Sequence, residues 1–183
     1  TSPMTQTNRS VANADTDTTA IPAIIHATAE AWNSQDFSKV LELWDPAEPT
    51  PFYLAEEQDD WFIGWEPLKN YLAPAQPSPA VQGIREEMRD ITVKLIAPEL
   101  AIAVWWMHFE MKIIGRNPIG EEIRVSAVLR RTDAGWRYIH WAESPMTAPM
   151  YLMKLMERDV DQAKFAGCHT RAMQRWQSMQ KKW

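Results

Sequence analysis

The sequence has a single cysteine, Cys168, so it can close no internal disulfide and offers no zinc-ligand spacing. Stability must come from a packed core, and a reducing, cytoplasmic setting is the expectation. No uncharged apolar run approaches the roughly 18 residues that a membrane helix requires. Basic residues are in deficit, 19 Lys and Arg against 24 Asp and Glu, for a formal net charge of −5. That balance provides no footprint for nucleic acid or an anionic membrane surface. P-loop, dinucleotide, HExxH and G-x-S-x-G patterns are all missing. The opening stretch TSPMTQTNRSVANADTDTT lacks the apolar segment of a secretory signal. Residues 1–19 are expected to form a disordered leader, with Met4 as a native start behind a short tag remnant.

Tryptophan and methionine, in contrast, are abundant, at ten each. Most of these twenty side chains are needed to fill a core. Their joint enrichment also suits an aromatic-lined pocket or a subunit interface, since tryptophan is large and amphipathic and methionine adapts to irregular shapes.

Hydrophobic spacing predicts a first helix over Ile21–Ser34, with Ile21, Ile25, Thr28 and Trp32 on one stripe and His26 and Glu30 opposite. Asp36 is the expected N-cap of a second helix, Phe37–Trp44. A short strand at Phe52–Leu54, a helix at Glu66–Leu72 and an irregular proline-rich connection follow. From there the pattern predicts antiparallel strands at Arg85–Ile96, Leu100–Ile114, Glu121–Arg131 and Trp136–Glu143. The tail from Tyr151 to Trp183 reads as mostly helical. Helices followed by a meander define an α+β fold, with helices on one face of a curved sheet.

The strand segment VWWMHFEM, Val104–Met111, divides by alternation. Trp105, Met107, Phe109 and Met111 form an apolar row; Trp106, His108 and Glu110 form a polar one. Arg124 on the neighbouring strand falls on the polar side, within cross-strand reach. This layer is either an acid–base site or a polar network on an outer face or dimer seam. A His108/Glu110/His140 metal site is conceivable by spacing, but the expectation is that no metal is bound. On the last strand, alternation groups Trp136, Tyr138 and His140 against Ile139, Trp141 and Glu143.

Three segments resemble the nuclear transport factor 2-like superfamily, in particular its SnoaL-like branch: AWNSQDFSKVLELWDP, GWEPLKNYL and AGWRYIHWAESP. They resemble the paired opening helices, the start of the third helix and the last strand. The resemblance covers roughly Ala20–Pro149, leaving 150–183 as a C-terminal helical extension. It implies a cone of curved antiparallel sheet with the N-terminal helices packed on its concave face and a pocket at the wide end. The superfamily includes ketosteroid isomerases, scytalone dehydratase, polyketide cyclases, limonene epoxide hydrolases, a diarylpropane-deformylating lyase and non-catalytic dioxygenase β subunits. One fold therefore hosts many activities.

The resemblance implies chemistry without metal or organic cofactor. Tyr53, His108, Glu110 and His140 are the candidates for proton transfer and Arg124 for charge stabilisation. Trp61, Trp106 and Tyr138 are the candidate substrate contacts. The resulting expectation is a cofactor-independent lyase, dehydratase or isomerase acting on a bulky aromatic molecule such as a lignin-derived phenolic dimer. A benzylic alcohol that expels its hydroxyl through a quinone methide would suit it. The alternative is a non-catalytic binding or assembly module; either fits a homodimer or higher homo-oligomer. An epoxide hydrolase would need an Asp–Arg–Asp set, for which Asp90 and Asp133 are poorly spaced.

Overall fold

A computed structural model describes residues 8–180. The expectations on Met4 and on the extreme C-terminal residues lie outside these described residues. The chain divides into two compact units, Thr1–Pro145 and Met146–Trp183.

The first unit opens with helix α1, Asn8–Asn33. It begins well before Ile21, so part of the stretch expected to be leader is helical, and Pro22 falls inside the helix rather than in its first turn. There it forfeits one backbone bond. The predicted stripe is the buried face: Ile21, Ile24, Ile25, Thr28 and Trp32 pack inward, while His26 and Glu30 are exposed.

Helix α2 is only Ser38–Leu41, shorter than the expected Phe37–Trp44. The backbone leaves the helix because it is captured by the sheet. Tyr138 N–H donates to Leu43 O, and Asp45 N–H donates to Tyr138 O, both at 2.9 Å. Asp36 does not cap this helix through its side chain; its Oδ1 accepts from Ser38 Oγ at 2.6 Å. Strand β1, Phe52–Leu54, is joined by β2, Phe62–Ile63, a two-residue strand that the sequence pattern does not announce. Helix α3, Trp65–Leu72, buries Leu68 and Leu72 completely, a gain of about 1.5–3 kcal/mol for each side chain.

The long strands are β3 (Val81–Ala97), β4 (Leu100–Ile113), β5 (Ile119–Thr132) and β6 (Gly135–Pro145). The six strands lie in the order β2-β1-β6-β5-β4-β3, antiparallel except for the β1–β6 pair. This is an α+β fold with helices on one sheet face. Ala101, Ala103, Trp105 and Met107 of β4 and Ile123, Val125, Ala127 and Leu129 of β5 form the buried inner face.

Among the register breaks in the sheet, two within the long strands reverse the alternation of side chains where the cavity lies. On β3 the register breaks between Arg89 and Thr92, where Asp90 takes a left-handed φ of 56°. On β6, Val128 pairs with His140 and Leu129 with Tyr138, which leaves Ile139 as the extra residue. Tyr138, Trp141 and Glu143 consequently share the inner side, and His140 turns outward.

Strand β3 is at the sheet edge, and two side-chain amides at the C-terminal end of α1 and just after it pair with its backbone. Asn33 Oδ1 accepts Glu86 N–H at 2.7 Å and Asn33 Nδ2 donates to Glu86 O at 2.9 Å. Gln35 repeats the pattern at Ile84, with contacts of 3.0 and 2.7 Å.

The second unit holds helices α4, Ala148–Arg158, and α5, Gln162–Gln180. Asp161 caps α5 by accepting Lys164 N–H at 3.0 Å. Among the described residues no helix is long and apolar enough to cross a membrane.

Candidate active site

A cavity of about 330 Å³ opens between the inner sheet face and the helical layer. Met107, Phe109 and Met111 of β4 form one wall, so the apolar row of VWWMHFEM lines it. Trp32 of α1, Phe37, Tyr53 of β1 and Tyr71 of α3 close the other side. Four acidic residues, Glu56, Glu57, Glu86 and Glu143, are among those lining this apolar space, Glu57 at its exposed rim, and no Lys, Arg or His is among the described lining residues.

Glu143 is held in place by three donors. Trp141 Nε1 and Tyr53 Oη donate to its Oε1 at 2.8 and 3.3 Å, and Glu56 N–H donates to its Oε2 at 2.9 Å. Burial outweighs these bonds and pushes its pKa up to about 7, so this carboxyl exchanges protons near neutrality. Tyr53 is raised well above the ordinary phenol value, first by burial and then by the charge of Glu143. It stays protonated and acts as a donor.

Glu86 is 6 % exposed, and its Oε2 has no hydrogen-bond partner. Burial, reinforced by the charge of Glu143, holds its pKa well above the carboxylate range. A carboxyl in this setting remains a neutral acid. Its backbone is fixed by the Asn33 amide, which aims the side chain inward. At the rim, Tyr71 Oη donates to Glu57 Oε1 at 2.5 Å. Burial and a hydrogen bond with Glu121 push Glu56 up to about 8.

Of the residues singled out from sequence, Tyr53 reaches this cavity. His108, Glu110 and Arg124 share the opposite sheet face. His108 Nδ1 is 2.9 Å from Glu122 and its Nε2 3.0 Å from Glu110; Arg85 clasps Glu110 at 2.7 and 2.9 Å. Hydrogen bonding to Glu110 leads the causes that raise the His108 pKa, and bonding to Arg85 leads those that lower Glu110 to about 2. Arg124 reaches the carbonyl of Pro145 at 3.0 Å, away from that cluster. His140 contacts Phe52 and Trp61, with ring centroids 6.1 and 5.6 Å away, and burial lowers its pKa. Trp106 lies under Arg89, 5.3 Å from ring centroid to guanidinium. Tyr138 is fully buried with its hydroxyl 2.8 Å from Thr28. None of these lines the cavity.

The sequence reading missed Glu86, Glu143, Glu56 and Tyr71. A signal for the first two was present: Ile84-x-Glu86-x-Met88 and Trp141-x-Glu143 each put a carboxyl into an apolar row. Among the described residues, no group of three or more His, Cys, Asp or Glu is arranged to hold a metal.

With this geometry in place, the model of the SnoaL-like domain matches residues 21–149. The chain belongs to the SnoaL-like domain family. No curated protein matches it in sequence. Among solved structures, a candidate scytalone dehydratase from Novosphingobium aromaticivorans aligns with a TM-score of 0.65 at 10 % identity, over 75 % of this chain and 89 % of that one. A candidate dehydratase of the nuclear transport factor 2-like family from Streptomyces avermitilis aligns with a TM-score of 0.63 at 19 % identity, over 73 % and 99 % of the two chains. A type 2 hexachlorocyclohexane dehydrochlorinase gives 0.60 at 10 % identity, over 75 % and 90 %. At these identities the family's shared property is the fold, and chemistry must be argued from the side chains.

Proposed function

We propose that this SnoaL-like protein is a cofactor-independent lyase of the dehydratase type, acting on a bulky aromatic alcohol in the Glu86–Glu143 cavity. The observation that carries the reading is the pairing, in one apolar cavity, of a neutral buried acid with a carboxyl that titrates near neutrality. Two titratable groups with environments that separate their roles are what acid–base catalysis needs.

In this reading the Glu86 acid gives its proton to the leaving hydroxyl and the carbon–oxygen bond breaks with release of water. The Glu143 carboxylate accepts a proton from the adjacent carbon, or from a para-phenol to give a quinone methide. Glu86 has then lost the proton that Glu143 gained, and exchange with solvent resets both. Tyr53 holds Glu143 in position. Carboxyl groups without a neighbouring cation favour a transition state that develops positive charge at the benzylic carbon, rather than an enolate.

The test is a panel of phenolic monomers and dimers with benzylic hydroxyls, followed by ultraviolet absorbance of the conjugated product. Glu143→Gln and Glu86→Gln should each lower the rate by about 10²–10⁴-fold. Full activity in both variants would sink the assignment, as would a wild type that turns over no member of the panel.

A second reading is a non-catalytic assembly module. It is favoured by the outer sheet face, which exposes Phe52, Ile102 and Val104 and also carries the His108 cluster. Light scattering on wild type and on Val104→Lys distinguishes it: the variant would dissociate an oligomer built on this face, while cavity variants would leave assembly untouched.

A further inference from the structure

We propose that the cavity takes an aromatic ligand carrying a protonated amine, with its ammonium group against Glu86 and Glu143 and its ring between Phe109 and Tyr71. The inference rests on the reading of this cavity as the reaction site and adds the charge of the substrate class.

The argument begins with what surrounds the space. Four carboxyl side chains line it, and the described lining residues include no cation to answer them. The bonds to Glu143 come from neutral donors, the indole of Trp141, the phenol of Tyr53 and the backbone of Glu56. Glu86 Oε2, in a residue 6 % exposed, has no partner at all. A buried acceptor left unpaired costs about 1–3 kcal/mol. It represents a bond available to an incoming donor.

The walls complete the case. Trp32, Phe37, Tyr53, Tyr71 and Phe109 present aromatic rings to the same volume, and a cation gains from both ring faces and carboxylates when water is excluded. Glu56, Glu86 and Glu143 are all held above the ordinary carboxylate range, with burial the largest cause in each. Burial is what keeps these groups protonated, and an ammonium ion against Glu86 and Glu143 offsets that cost, drawing them towards the carboxylate form with release of the protons they hold; a ligand carboxylate offers no such offset.

The experiment uses the full chain and three probes of similar size: 2-phenylethylammonium, 2-phenylethanol and 3-phenylpropanoate. Binding is read by calorimetry at neutral pH and by quenching of tryptophan fluorescence, with Trp32 as the reporter in the wall. The expected result is that the ammonium binds at least tenfold tighter than the alcohol and that the carboxylate does not bind. In Glu86→Gln the ratio of ammonium to alcohol affinity should fall at least fivefold. Glu143→Gln serves the same purpose if Glu86→Gln does not fold. Equal or tighter binding of the alcohol overturns the inference but leaves the dehydratase reading intact, since that reading is judged by turnover of neutral alcohols. Failure of the ammonium to bind at millimolar concentration, or preferential binding of the carboxylate, overturns it as well.

Discussion

Replacing Glu86 by glutamine keeps the shape of the side chain and removes one titration, which gives a prediction with a definite sign. In the unfolded chain the Glu86 carboxyl ionises near pH 4.3. In the folded chain burial and the Glu143 charge hold its pKa well above that. Between the two values, unfolding releases a proton that the native state retains. The stabilising contribution is complete below the unfolded pKa and is lost progressively as pH rises toward the folded one. The slope approaches about 1.4 kcal/mol per pH unit for one group. Glu86→Gln lacks this contribution, whereas the parallel effect of Glu143 is common to both proteins and cancels in their difference. From pH 5 to pH 6 the stability of the variant relative to wild type should rise by roughly 1 kcal/mol. For a chain of this length that corresponds to a relative gain in Tm of about 2–4 °C. Thermal unfolding followed by circular dichroism at both pH values measures it. A Tm difference that stays constant between pH 5 and pH 6 would refute the assignment of Glu86 as a buried neutral acid.

Three further outcomes are expected. The kcat/KM for dehydration should fall on the acid side with a midpoint near the Glu143 value of about 7, and this limb should disappear in Glu143→Gln; a pH–rate profile unchanged by the substitution contradicts a basic role for that group. His108→Ala should lose less than about 1 kcal/mol, because its ion pairs are partly exposed on the outer sheet face, and turnover should be retained. The stability difference should be greatest below the ordinary histidine pKa and fade as pH rises through the raised folded value, which urea titrations at several pH values can follow. Asp45 is 2 % exposed, accepts Ala47 N–H at 2.9 Å and pairs with Arg130 at 2.8 Å. Asp45→Ala should therefore cost about 2–3 kcal/mol in urea unfolding, and a loss below 0.5 kcal/mol would contradict this role.

The long strands and helix α3 were legible because hydrophobic alternation and turn residues are local signals. The second helix was misjudged because Tyr138, far away in sequence, captures its final turn with backbone bonds. The cavity was harder to read, and for one physical reason. Both inward carboxyls lie on strands whose side-chain phase is reversed by a bulge. Counting back from Ile91, Val93 and Leu95 puts Arg85, Glu87 and Arg89 inside; the break at Asp90 puts Glu86 and Met88 there instead. Counting along β6 from Tyr138 puts His140 inside; the extra residue Ile139 puts Trp141 and Glu143 there. The polar row of His108 and Glu110 was correctly grouped on one face, but alternation alone does not say which face the helices cover.

The Asn33 and Gln35 amides bear on how the protein ages. Together they occupy the backbone donors and acceptors of Ile84 and Glu86 that a strand from another chain would otherwise use. Hydrolysis of the Asn33 amide would replace its donor with a carboxylate oxygen facing the Glu86 carbonyl, turning attraction into repulsion. The edge would then open at the strand that carries the buried acid. A stored sample would lose solubility through intermolecular strand pairing, and its cavity chemistry would decline with it, without any change in the core.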